Sequence, residues 1–129
     1  MSAVPAHTVR VEILARRDCP GRGMTISMVD RVLETTGVPA KVEVIDMVTQ
    51  SQAERRRFLG SPTVRVDGVD VEPGSNGRSG YTLLARIYRT EQGLQGWPDE
   101  HWIQEAIVLA AGQSPSGVGA SARSSATSP

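Results

Sequence analysis

The 129-residue sequence contains one cysteine, Cys19. A single thiol closes no internal disulfide, so a disulfide framework is excluded. Lys41 is the only lysine; the other basic residues are arginines, and 14 basic residues balance 14 acidic ones. With no basic excess the chain lacks the electrostatic footprint of a nucleic-acid binder. No apolar run approaches the ~20 residues of a membrane span, so no membrane partner is expected. Met1 to Thr8 is polar and proline-bearing, without the apolar core of a secretion signal. The expected setting is therefore cytoplasmic and reducing, where a lone thiol stays free. His7 and His101 have no cysteine or histidine at ligand spacing, so no metal site is expected. No cofactor is implied.

What the sequence does contain is centred on Arg16-Arg17-Asp18-Cys19-Pro20-Gly21-Arg22-Gly23. The stretch follows an apolar run, Val9 to Leu14, that reads as a buried strand, and precedes a helical pattern from Met24 to Thr35. At a strand-to-helix turn backbone N–H groups point outward and the helix dipole is positive. Such a seat favours the thiolate over the thiol, whose ordinary pKa is about 8.5. Pro20 suits the first helical position, where its missing N–H has no partner. Free cysteine is also among the most buried residue types, so a small core residue is the competing reading. The polar flanks of Cys19 favour partial exposure instead.

The length fits one domain with a modest core. Residues 1–7 read as a flexible leader and 112–129, rich in glycine, serine, alanine and proline, as a disordered tail. The domain is placed at 8–111. After the first helix, Gly37 is the expected left-handed cap. Lys41 to Asp46 alternates as a second strand, and Thr49 to Leu59 reads as a short polar helix ended by Gly60. The arginines of that helix read as a solvated face. Val64 to Val66, Asp67-Gly68 and Val69 to Val71 form a hairpin with a strong two-residue turn signal. Glu72 to Gly80 reads as plain connection, Tyr81 to Arg89 fits strand and helix equally, and Glu91 to Gly96 reads as a turn-rich linker. Pro98 opens a last helix with Asp99 and Glu100 in its first turn and a buried stripe of Trp102, Ile103, Ala106, Ile107 and Ala110.

The order of these elements, with Cys19-Pro20-Gly21-Arg22 after the first strand and Ser61-Pro62-Thr63 before the third, resembles the thioredoxin-like superfamily. Gly60-Ser61-Pro62-Thr63, Val66-Asp67-Gly68, Arg86-Ile87-Tyr88-Arg89 and Gly93-Leu94-Gln95-Gly96 are similar to a small bacterial group often labelled alkylmercury lyase or thioredoxin-family protein. The resemblance implies an α/β thioredoxin-like sandwich, a central mixed sheet of about four strands flanked by helices. It implies a cis Pro62 packed against the reactive cysteine. Many members carry a second cysteine where this chain has Ala85.

Arg22 stands where dithiol members of the superfamily carry the resolving cysteine, and arginine cannot attack a mixed disulfide. The expected function is therefore monothiol: thiol-disulfide exchange through Cys19, with a low-molecular-weight thiol or a thiol-bearing substrate as partner. Arg22 is expected to pair with the thiolate or to grip an anionic group of the substrate; a solvated helix residue is the plain alternative. Asp18, Ser61, Pro62 and Thr63 are the expected substrate-side residues, although Asp18 at a helix start also suits a cap and Pro62 a turn. One alternative is alkylmercury lyase-like cleavage or mercury binding, in which Cys19 supplies a soft ligand and Asp18 the proton. The other is a non-catalytic binding module on the same fold. The oligomeric state is left open by the sequence.

Overall fold

The computed structural model describes residues 7–112. The elements are β1 (Val9–Ala15), α1 (Arg22–Thr36), β2 (Ala40–Asp46), α2 (Gln50–Arg55), β3 (Thr63–Val66), β4 (Val69–Asp70), β5 (Tyr88–Thr90), β6 (Gly93–Gln95) and α3 (Glu100–Ala111). They build a mixed four-stranded sheet in the order β2-β1-β3-β4, flanked by helices, and a separate β5–β6 hairpin. β1 runs parallel to β2 and antiparallel to β3, and β3 pairs antiparallel with β4. No helix among the described residues is long and apolar enough to cross a membrane.

Period-two alternation divides the sheet into two faces. Val9, Val11 and Ile13 of β1 and Val64 and Val66 of β3 face α1 and α3, where Met28, Val29, Val32, Ile103, Ile107 and Ala110 complete one core. Leu14 points the other way and packs with Met47, Ala53 and Phe58 beneath α2. Fully burying one such aliphatic side chain contributes about 1.5–3 kcal/mol. β2 lies at the edge with Val42 and Val44 exposed, and Lys41 and Glu43 beside them supply the charge that discourages pairing with another chain.

Several elements follow the sequence pattern closely. Gly37 is left-handed at φ 68° and its N–H reaches Leu33 O. Asp67 and Gly68 both have positive φ, as a two-residue hairpin turn requires. Asp99 caps α3 through a 2.8 Å bond from the His101 N–H. Ile103, Ile107 and Ala110 are buried as expected, with Trp102 and Ala106 half-buried beside them.

Other expectations need correction. α1 begins at Arg22 with Gly21 as its cap, so Pro20 precedes the cap instead of occupying the first helical position. α2 ends at Arg55, not Leu59. Arg57 takes a left-handed conformation at φ 55°, and the Phe58 N–H returns to Ala53 O at 2.8 Å. That is a Schellman ending with arginine where glycine is usual. Over Tyr81 to Arg89, where the pattern leaves strand and helix open, no helix forms: Ala85 makes an isolated parallel bridge with Ser61, and Tyr88 enters β5. Residues 91–96, expected as a linker, supply the turn and the second strand of the hairpin. His7, placed in the leader by its sequence, is held by a 2.6 Å contact to Asp67. The rest of that leader and tail residues 113–129 lie outside the described residues.

Candidate functional site

β1 delivers the chain at Ala15 into a tight turn. The Cys19 N–H donates to Arg16 O at 3.2 Å, and the Arg22 N–H donates to Cys19 O at 3.1 Å, so Cys19 sits in two successive turns leading into α1. Its side chain is half-buried and its thiol is free. Gly21 follows because nothing larger fits: a Cβ there would lie 2.5 Å from Gly96 O and 3.5 Å from Pro62 Cδ. Thr25 then binds Gly21 O through both its N–H, at 3.0 Å, and its hydroxyl, at 2.7 Å.

Three segments meet here: the Cys19 turn, Ser61-Pro62, and Gly96. The Ser61–Pro62 peptide bond is cis. Ser61 Oγ accepts from the Arg16 N–H at 3.0 Å, tying the two loops together. Ser61 N–H and C=O are bonded to Leu84 O and the Arg86 N–H, so Ala85 lies beside the prolyl segment. Thr63 Oγ1 donates to Gly60 O at 2.7 Å and accepts from Arg86 Nη1 at 2.9 Å. The polar side chains of Ser61 and Thr63 are thus committed within the protein. Pro62 presents its ring to the Cys19 turn, and its carbonyl accepts from the Tyr88 hydroxyl at 2.6 Å.

The charged neighbours are partnered. Asp18 is exposed and accepts from Arg16 Nη2 at 2.7 Å. Arg22 directs Nη2 to Asp46 Oδ1 at 3.5 Å, while Arg17 Nε reaches Asp46 Oδ2 at 3.2 Å. Asp46 is the residue that sequence reasoning missed. Its signal was available: in a parallel β1–β2 pair, Asp46 falls opposite Ala15, at the end of the sheet where the cysteine turn begins. Arg22 Nε is buried without a hydrogen-bond partner among the described residues.

A second cluster buttresses the prolyl segment from behind. Arg86, 3% exposed, bonds Asp70 through both terminal nitrogens, at 2.8 and 3.3 Å, and Glu72 at 2.6 Å. Its guanidinium lies 4.5 Å from the Tyr88 ring centroid. Burial alone would lower the Arg86 pKa; Tyr88, Asp70 and Glu72 outweigh it and raise it. Burial pushes the Tyr88 hydroxyl far above the ordinary tyrosine range, against the opposing pull of Arg86. Tyr88 therefore acts as a neutral donor to Pro62 O. Asp70 and Glu72, like Arg86 and Tyr88, are two apart in sequence, the spacing that puts side chains on one side of an extended chain.

Among the described residues no group of three or more histidine, cysteine, aspartate or glutamate side chains is placed to hold a metal ion. No protein-family model, no curated protein and no solved structure matches the chain.

Proposed function

We propose that the chain is a monothiol protein of thioredoxin-like organisation, exchanging disulfides through Cys19. The observation that carries this reading is the contact between the Cys19 turn and the prolyl segment: Arg16 N–H to Ser61 Oγ at 3.0 Å, and Gly21 against Pro62. In this proposal the Ser61-Pro62 wall aligns an extended substrate for the lone Cys19 thiol, which is half-buried. The sheet order and the mixed strand directions agree with that organisation.

In the proposed reaction the Cys19 thiolate attacks one sulfur of a disulfide. The substrate S–S bond breaks, a new S–S bond joins Cys19 to one half, and the other half leaves as a thiolate that takes a proton from water. No second cysteine exists to resolve the product, so an external thiolate attacks the mixed disulfide and regenerates Cys19. Arg16, Arg17 and Arg22 outnumber Asp18 and Asp46 around the turn. With the Cys19 thiolate counted the sum is zero, and the three guanidiniums remain the groups that could meet carboxylates on a low-molecular-weight disulfide.

Intact mass after incubation with an oxidised low-molecular-weight thiol provides the test. One adduct is expected on the native chain, none on Cys19→Ser, and complete reversal by excess reduced thiol. Absence of the adduct on the native chain overturns the reading and favours a binding module. Cys19-dependent loss of methylmercury without an adduct favours organomercurial cleavage instead.

A further inference from the structure

We propose that the cleft between the end of α2 and the β3–β4 hairpin binds a phosphoryl group, as free phosphate or as a small phosphate monoester. The cleft has a volume of about 200 Å³, and Arg56, Arg57, Arg65 and Arg78 contribute to its walls, with Tyr81 beside them. Among the described residues no carboxylate lies within salt-bridge distance of Arg56, Arg57 or Arg65. Arg65 spends Nη2 on two backbone carbonyls, Arg56 O at 2.6 Å and Arg57 O at 2.9 Å, which fixes the guanidinium plane. Arg78 is shared with Glu72 at 3.0 Å.

The one carboxylate in the wall does not neutralise these cations. Both oxygens of Asp70 are turned into Arg86, and its side chain is 6% exposed. Glu12 faces Arg65 across the β1–β3 pair without closing a salt bridge. Burial lowers the Arg65 pKa; the pull of Asp70 and Glu12 does not restore it, and Arg56 and Arg86 lower it further. An anion in the cleft would relieve that clustering. Guanidinium forks match the oxygens of a phosphoryl group better than they match chloride. The small volume fits a phosphoryl group with a few attached atoms, since drug-sized ligands take about 300–1,000 Å³.

Arg57 adds a second, independent observation. It occupies the left-handed Schellman position at the rim of the cleft, where glycine fits with less strain, and its side chain is exposed to solvent. A ligand on the guanidinium accounts for the choice, as outliers of this kind cluster at binding sites.

Calorimetric titration of the full chain with inorganic phosphate, at constant ionic strength, tests the site. Saturable binding is expected, with chloride failing to reproduce it. Arg57→Gly, which suits the backbone, should weaken binding by about tenfold or more, as should Arg56→Ala. Arg89→Ala, exposed on β5 and outside the cleft, should bind as the native chain does. No saturable binding, or full binding by Arg57→Gly, overturns the proposal; so does an equal loss in Arg89→Ala, which would mark diffuse attraction. Phenyl phosphate binding tighter than inorganic phosphate assigns the site to a monoester, and equal binding assigns it to the free ion.

Discussion

Among the described residues, the core between the sheet and α1 and α3 holds twelve buried apolar residues, and the core on the α2 side holds four. Both faces carry arginine–carboxylate pairs, yet the pairs differ in kind. On the α1–α3 side Arg31 and Glu100 meet in two bonds of 2.9 and 2.7 Å, with side chains 55% and 38% exposed. On the other side Thr63 and Asp70 hold Arg86, whose side chain is 2% exposed. Where apolar burial is ample, charge decorates the surface; where it is thin, one buried cation fills the interior. The first arrangement spreads stability over many interchangeable contacts. The second concentrates it on a residue with no substitute.

The largest expected effect follows from that concentration. Arg86→Met leaves Asp70 buried without its cation, and removing one partner of a buried pair costs about 3–5 kcal/mol. The loss is read as a fall in the urea midpoint. Ile107→Val, on the well-filled face, should cost about 0.5–1.5 kcal/mol, because it deletes one methyl group from a core with many other contacts. If the isoleucine variant proves the more damaging, the contrast between the faces is wrong.

A smaller effect of opposite sign sharpens the contrast. Arg57→Gly should stabilise the chain by on the order of 1 kcal/mol, since the left-handed backbone burdens any residue with a Cβ. The same variant is expected to lose phosphate binding. A gain in midpoint together with a loss of binding would show that the thin face trades stability for a ligand site. Destabilisation by the glycine would mean that the arginine side chain supports the fold directly.

Much of the well-filled face was legible in the sequence. Val9, Val11 and Ile13 alternate, α1 and α3 repeat at helical spacing, and Gly37 and Asp67-Gly68 announce their turns locally. The α2 face was not, because its decisive contacts join residues far apart in the chain. Arg86 and Asp70 are sixteen residues apart, and neither polar run signals burial on its own. Arg57 continues a helical-looking pattern, so nothing local marks the end of α2. In the candidate site, Cys19 and Arg22 stood out as a rare residue beside a turn, and Pro62 entered through resemblance. Asp46 escaped notice because its neighbourhood depends on the parallel register with β1. The side-chain hydroxyls of Ser61 and Thr63, expected on the substrate side, are engaged in hydrogen bonds within the protein.

The smallest expected effect concerns the exposed pair on the well-filled face. The hydrogen bonds from Arg31 lower the Glu100 pKa; slight burial opposes this, and the Arg31 charge adds to the lowering. A carboxylate whose folded pKa is depressed contributes stability that is fully present above its unfolded value, about 4.3, and is lost as the pH falls through the folded value. Glu100→Gln removes that titration. The native chain should therefore exceed the variant in urea midpoint at neutral pH, and the gap should close in acid. Added salt should narrow the gap at neutral pH as well, because exposed charges are screened. Arg86→Met should show no such sensitivity, since its partners are shielded from solvent. If salt instead narrowed the Arg86→Met gap while leaving the Glu100→Gln gap unchanged, the roles assigned to charge on the two faces would be reversed.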